Sequence, residues 1–216
     1  MKVAVVVFPG TNCERDTVHV LRALGAEADL VWHRETDLSA FDGAVLPGGF
    51  AHGDYLRTGA IARFSPVMDE IVRMAAAGMP VVGICNGFQV LCEAGLLPGA
   101  LIANRDLAFI CKMVDVEVVD TGSVLTAAAM PGQRLRIPLN SYEGNYVLPD
   151  GSPRVVLRYV DDPNGSQDGA AAIANDRGNV VGIMPHPERA SDALLGSSDG
   201  VVLMEGFIAS MEVSHA

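Results

Sequence analysis

The sequence predicts an α/β fold built on a doubly wound, mostly parallel sheet, with antiparallel strands added in the C-terminal half. In the first half of the chain, short runs rich in β-branched residues alternate with segments of helical period, which is typical of parallel strands joined by crossover helices. In the second half, strand-like runs follow one another with little helix between them, which indicates antiparallel pairing. No repeat or linker divides the 216 residues, so we expect one domain over residues 1–216.

The elements of the first half alternate between strand and helix. Apolar runs predict strands at residues 2–8, 28–32, 43–46 and 80–84. Apolar residues at helical spacing predict helices at 14–24, 66–77 and 88–97. We expect Thr11 or Asn12 to cap the first helix and Gly25 to end it. This order is that of a flavodoxin-like sheet flanked by helices.

The second half is dominated by strands. Apolar runs predict them at residues 109–119, 133–139, 154–160, 170–174 and 180–184. The turn sequence Asn175-Asp176-Arg177-Gly178-Asn179 joins the last two of these strands as a hairpin. Residues 201–213 predict the final helix.

Charge and composition exclude several classes of function. Fifteen Lys and Arg residues against 26 Asp and Glu residues give a net charge of −11, which disfavours nucleic acid and anionic membranes as partners. The two lysines, Lys2 and Lys112, follow no Gly-x-x-x-x-Gly run, so the chain has no P-loop for ATP. Four cysteines show neither a C-x-x-C pair nor a histidine at zinc-ligand spacing. Because the sequence shows no long apolar run and no signal peptide, we expect a cytoplasmic chain with reduced thiols. We also expect no metal or cofactor on this chain.

A nucleophile elbow is predicted where the strand at 80–84 ends. The segment Gly83-Ile84-Cys85-Asn86-Gly87 has the elbow pattern, with cysteine as the nucleophile. The turn is so tight that it needs small residues two positions before and after Cys85. It raises the side chain above the sheet at a helix N-terminus, where thiolate is favoured over thiol. A buried structural cysteine is the usual alternative, and it is our interpretation of the cysteines that lack this context: Cys13, Cys92 and Cys111.

The candidate base is His186, in the segment Met184-Pro185-His186-Pro187-Glu188. Because the prolines favour extended backbone, His186 and Glu188 point to the same side. Glu188 can then hold one ring nitrogen while the other faces a nucleophile, as in a catalytic triad. The other histidines are expected in a solvated helix (His19), at a strand end (His33), in a glycine-rich loop where a ligand contact is possible (His52) and in the C-terminal tail (His215).

A second glycine-rich segment is expected at the same edge of the sheet. Pro47-Gly48-Gly49-Phe50 follows the strand at 43–46, and the carboxyl ends of parallel strands meet at one edge. Glycines expose backbone N–H groups. An amide there and the amide of Asn86 are therefore candidates for an oxyanion hole.

Together these motifs resemble the triad (class I) glutamine amidotransferases, and within them the glutaminase subunits that serve a purine-biosynthetic synthase. The segments that carry the resemblance are 8–13, 47–57, 83–89, Asn104 with 109–111, and 185–189. In the middle of the chain the sequence departs from the family. Where the family usually shows basic residues around the F-x-C segment, this chain has Ala108 and Lys112, and where an H-G-E-G-like segment is expected, it has Asn140-Ser141-Tyr142-Glu143-Gly144.

The resemblance implies a chemistry for these residues. Cys85 attacks the side-chain amide of L-glutamine and forms a thioester, His186 moves the protons and Glu188 holds the imidazole. The backbone N–H groups of Gly49 and Asn86 form the oxyanion hole. The resemblance further implies that Gly48, Phe50 and Gln89 contact the bound glutamine.

The resemblance also implies partners. Ammonia becomes ammonium in neutral water, so a glutaminase must pass its product directly to an acceptor site. The family supplies that site on a large synthetase subunit, where ATP and magnesium are expected, commonly with a small bridging subunit. The loop from His52 to Arg57 is a candidate coupling surface or a plain surface loop. Two alternatives remain open: a Cys-elbow hydrolase of the PfpI-like stress-response group, in which the late H-P-E is not expected, and a non-catalytic scaffold of the same fold.

Overall fold

The computed structural model describes residues 1–213, and its elements are numbered in chain order. The strands are β1 (Lys2–Val7), β2 (Glu27–Trp32), β3 (Gly43–Leu46), β4 (Val81–Ile84), β5 (Ala100–Ile102), β6 (Ile110–Val118), β7 (Arg134–Ser141), β8 (Asn145–Val147), β9 (Arg154–Tyr159), β10 (Ala170–Ala174) and β11 (Val180–Ile183). The α-helices are α1 (Glu14–Ala23), α2 (Val67–Ala76), α3 (Asn86–Glu93) and α4 (Val201–Val213). His215 lies outside the described residues. Within them, no helix is both long and apolar enough to cross a bilayer.

One sheet of nine strands organises the chain, in the order β2-β1-β3-β4-β11-β10-β9-β6-β7. The first five strands in that order are mutually parallel. The other four add antiparallel neighbours, beginning with the β10–β11 hairpin. The predicted fold class is therefore confirmed: a flavodoxin-like parallel part carries antiparallel strands from the second half of the chain.

The parallel strands at the centre of the sheet are covered on both faces. Every residue of β3, β4 and β11 is buried, as expected for strands that read as continuous apolar runs. Helix α2 buries an apolar stripe that includes Ile71 and Met74. On α3, Phe88 is fully buried and its ring stacks on that of Tyr146 with the centroids 5.9 Å apart. This rigid core fixes the strand ends that carry the candidate site.

The structure differs from the sequence-based prediction in three places. Helix α3 spans Asn86–Glu93 rather than residues 88–97, because the turn at Cys85 leads directly into the helix and Gly95, with φ = 72°, follows its end. Neither Thr11 nor Asn12 caps helix α1 as expected, because the residue before the helix is Cys13, which makes no side-chain cap. The Thr11 hydroxyl instead accepts a hydrogen bond from the Phe8 N–H at 2.9 Å. The third difference is the small β5–β8 sheet, whose three-residue strands carry too short a pattern to be predicted.

Candidate active site

Cys85 occupies a strained turn between β4 and α3. Its backbone has φ = 51° and ψ = −105°, a conformation that residues with a side chain rarely adopt. A Cβ atom on Gly83 would lie 2.6 Å from the carbonyl group of Gly87, and one on Gly87 would overlap the carbonyl oxygen of Leu46 in the neighbouring strand. The two glycines are therefore required for the elbow, as its pattern predicts.

His186 and Glu188 form a buried pair directly after β11. His186 Nδ1 lies 2.6 Å from Glu188 Oε1, and each residue is 2% exposed. The His186 backbone N–H donates to the Pro138 carbonyl at 2.8 Å, which fixes the ring position against β7. Burial by itself lowers the pKa of His186, but the charge of Glu188, together with Cys85 and Cys13, raises it well above its ordinary value.

The free nitrogen of His186 faces two thiols. His186 Nε2 is buried and has no hydrogen-bond partner within residues 1–213. A Cβ atom on Gly48 would lie 2.6 Å from His186 Cε1, 3.1 Å from Cys13 Sγ and 3.4 Å from Cys85 Cβ. The three side chains therefore surround Gly48, and a side chain at that position would displace them.

Cys13 belongs to the site, although its sequence context predicts a structural role. It follows the loop after β1, and donor atoms of Cys13, His186 and Glu188 all lie within 4.8 Å of one another. A metal ion has such donors available, although Glu188 already holds His186 Nδ1. No local signal distinguishes this cysteine, because only the sheet brings the loops after β1 and β11 to the same edge.

Two free amide groups lie beside the elbow. The loop after β1 clamps the loop after β3, since Phe50 N–H donates to the Gly10 carbonyl at 2.9 Å and Asn12 N–H donates to the Gly48 carbonyl at 3.2 Å. Between these bonds, the N–H of Gly49 makes no hydrogen bond within residues 1–213, and the N–H of Asn86 at the start of α3 makes none either. Both are available to an oxyanion.

A cavity of about 490 Å³ opens over these groups. Its walls are formed by residues 12–13, 49–50, 54, 58, 85, 89, 109, 140–143, 186 and 189. Phe50 and Gln89, two of the three residues expected to contact glutamine, line it. The third, Gly48, lies beneath the catalytic candidates instead of at the cavity surface. The cavity is large enough for a small amino acid.

A polar network forms the wall next to α3. Asn86 Nδ2 donates to Asp54 Oδ1 at 3.3 Å and to Gln89 Oε1 at 2.9 Å. Gln89 Nε2 donates to the Glu143 carbonyl at 2.6 Å, and the Thr58 hydroxyl donates to Glu143 Oε2 at 2.8 Å. Asp54 and Glu143 were not predicted to line the site, because neither belongs to a sequence motif that indicates a functional carboxylate.

His52 does not line this cavity. Its ring packs edge-on against His33, with the centroids 5.3 Å apart, and lies 6.4 Å from the ring of Phe8. Its backbone has φ = 54°, and its N–H donates to the Pro9 carbonyl at 2.6 Å. His52 therefore packs on the side of its loop that faces away from the cavity.

The chain is similar to glutamine amidotransferases over nearly its whole length. Residues 1–199 match the CobB/CobQ-like glutamine amidotransferase domain family. A protein of Rubrobacter xylanophilus described as phosphoribosylformylglycinamidine synthase subunit PurQ is 50% identical, with 99% of this chain and 100% of that protein covered. A protein of the same description from Trichormus variabilis is 51% identical, over 96% of this chain and 97% of its own length.

Solved structures share the fold of this chain. A chain in a structure described as PurLQS from Thermotoga maritima superimposes with a TM-score of 0.94 at 43% identity, covering 97% of this chain and 98% of that one. A second protein of Thermotoga maritima, described as a glutamine amidotransferase, shares the fold at 19% identity, with a TM-score of 0.59 over 99% of this chain and 93% of its own.

Proposed function

The chain belongs to the CobB/CobQ-like glutamine amidotransferase family, and on that premise we propose that it is the glutaminase subunit of a phosphoribosylformylglycinamidine synthase. It hydrolyses L-glutamine to glutamate and ammonia. A synthetase subunit uses the ammonia to convert formylglycinamide ribonucleotide to formylglycinamidine ribonucleotide in purine biosynthesis. The observation that carries the proposal is Cys85 on its strained elbow beside the buried His186–Glu188 pair, in a chain about half identical to proteins of that description.

The first half of the reaction makes a thioester. Cys85 first passes its proton to His186. Its sulfur then adds to the side-chain amide carbon of glutamine, and the oxygen takes the negative charge between the N–H groups of Gly49 and Asn86. His186, whose raised pKa keeps its ring protonated, gives a proton to the departing nitrogen. The C–N bond breaks and ammonia leaves. Glutamate remains joined to Cys85 through its side-chain carbonyl.

The second half returns the enzyme to its starting state. His186, now neutral, takes a proton from a water molecule that adds to the thioester carbonyl. The same two N–H groups receive the oxyanion, the C–S bond breaks and glutamate leaves. Glu188 keeps the imidazole oriented in both halves, so that Nε2 always faces the reacting atoms.

The acceptor chemistry belongs to partners of this chain. It has no P-loop, so ATP and magnesium bind the large synthetase subunit, and a small bridging subunit completes the complex. The description of the Thermotoga maritima structure as PurLQS supports an assembly of this kind. Phe50 lines the cavity, and it is exposed together with Tyr55 and Leu56 of the loop that follows. These apolar side chains make the loop from His52 to Arg57 the surface against which a partner docks.

The test is a comparison of two nitrogen sources in the assembled complex. Cys85→Ala abolishes synthesis from glutamine, while synthesis from added ammonia continues at the wild-type rate because the synthetase is intact. Cys111→Ala, which removes an exposed cysteine, is the matched control and retains both activities. Loss of both activities in an assembled Cys85→Ala complex, or retention of both, contradicts the proposal. An inactive complex with full wild-type sequence supports the scaffold alternative instead.

A further inference from the structure

The cavity carries two carboxylates that no cation neutralises. Asp54 and Glu143 line it together with Cys85. Asp54 accepts from the Asn86 amide at 3.3 Å and Glu143 accepts from the Thr58 hydroxyl at 2.8 Å. Neither forms an ion pair within residues 1–213. Two partly buried carboxylates on one wall are unfavourable unless a positive charge joins them.

An unpartnered hydroxyl in the same cavity points independently to a ligand. Ser141 is 4% exposed, lines the cavity and has no hydrogen-bond partner for its Oγ in the described part of the chain. Leaving a buried hydroxyl without a partner is unfavourable. A wall that combines such a hydroxyl with two unneutralised carboxylates is built for a polar, positively charged group.

We propose that Asp54 and Glu143 bind the α-ammonium group of glutamine and thereby select substrates that carry a free α-amino group. This inference rests on the proposed function, because it assigns binding residues to the end of glutamine that lies away from Cys85. The hydroxyl of Ser141 supplies a further hydrogen bond to the same end of the amino acid. Charge-assisted bonds of this kind are stronger than bonds between neutral groups.

The two carboxylates are positioned by the first turn of α3. Asn86 directly follows the nucleophile and holds Asp54, while Gln89 is hydrogen-bonded to Asn86 and to the backbone of Glu143. The Ala51 N–H donates to Asn86 Oδ1 at 2.9 Å, which ties the loop that carries Asp54 to the same turn. The ammonium site and the nucleophile are therefore parts of one rigid unit, which keeps the amide of a bound glutamine in register with Cys85.

The protonation of Asp54 fits this role. Burial and the charge of Glu143 raise the pKa of Asp54 to about 6, against a smaller opposing effect of the Asn86 amide. A bound ammonium group favours the ionised carboxylate. Glutamine binding near pH 6 therefore releases a proton, and the KM for glutamine rises as the pH falls below about 6.

The experiment compares glutamine with 4-carbamoylbutanoate, which is glutamine without its α-amino group. Asp54→Asn and Glu143→Gln are assayed in the complex with the synthetase, with Glu205→Gln on the exposed side of α4 as the control. In each of the two cavity variants the KM for glutamine rises about 10- to 100-fold, the kcat changes less, and the preference for glutamine over the analogue falls by a similar factor. The control retains the wild-type preference.

A preference for glutamine that is unchanged in both cavity variants overturns the inference. Calorimetry measures the binding of the two compounds without turnover, in complexes that carry Cys85→Ala. We expect glutamine to bind more tightly than the analogue, and glutamine but not the analogue to release a proton at pH 6. Equal binding of the two compounds there also overturns it. A wild-type complex that binds glutamine selectively but never hydrolyses it contradicts the proposed function and supports this inference, so the two failures are distinguishable.

Discussion

His186 Nδ1 and Glu188 Oε1 lie 2.6 Å apart, and the opposite ring nitrogen, Nε2, is buried without a hydrogen-bond partner in residues 1–213. This asymmetry fixes what the imidazole can do. Glu188 uses one nitrogen for orientation and leaves the other for chemistry. Because Glu188 also raises the pKa of His186, the ring begins the reaction with a proton to give.

Replacing Glu188 tests that orientation. Glu188→Gln removes the negative charge, so the pKa of His186 falls and its ring orientation is less well defined. We expect kcat for glutamine-dependent synthesis to fall about 10²- to 10⁴-fold, and the alkaline limb of the pH–rate profile to move to lower pH. Glu27→Gln, on the exposed face of the edge strand β2, is the control. A wild-type profile in Glu188→Gln would contradict this role.

Cys13 provides a second test, because it shares the cavity with Cys85 but not the elbow. Cys13→Ala leaves the strained turn and both free N–H groups in place. We expect glutamine-dependent synthesis to remain within about tenfold of the wild-type rate, since truncating a neighbour of the reacting groups costs far less than removing the nucleophile. Steady-state kinetics of Cys13→Ala beside Cys85→Ala measures the difference. Equal losses in the two variants would make Cys13 a participant in the chemistry.

The elbow glycines give a prediction about stability. A methyl group on Gly87 overlaps the Leu46 backbone, which cannot move without separating β3 from α3. We expect Gly87→Ala to lower the free energy of unfolding by at least about 3 kcal/mol. Gly95→Ala is the matched control, because its site is open and only its φ of 72° is unfavourable, which costs about 1 kcal/mol. Urea denaturation of both variants checks the contrast, and similar losses would contradict the packing argument.

The parts of the molecule that the sequence predicted are those with a local cause. The strand at Val81–Ile84 and the elbow after it are encoded in consecutive residues, and so is the pairing of His186 with Glu188, two positions apart. No local sequence pattern indicates that Cys13, Asp54 and Glu143 belong to the site. They reach the cavity from three loops that only the finished sheet brings together. The clamp between Gly10 and Phe50 likewise depends on a long-range contact, so the loop geometry behind the free Gly49 N–H was not predictable.

The central claim is that the reaction passes through a thioester on Cys85. The most direct measurement is rapid acid quenching of the wild-type complex during turnover with glutamine, followed by digestion and mass spectrometry of the cysteine peptides. We predict a transient increase of one glutamyl group on the peptide that contains Cys85, which is absent in Cys85→Ala and in the unreacted complex. An adduct on the Cys13 peptide instead, or turnover of glutamine with no adduct on Cys85 at any quench time, would contradict it.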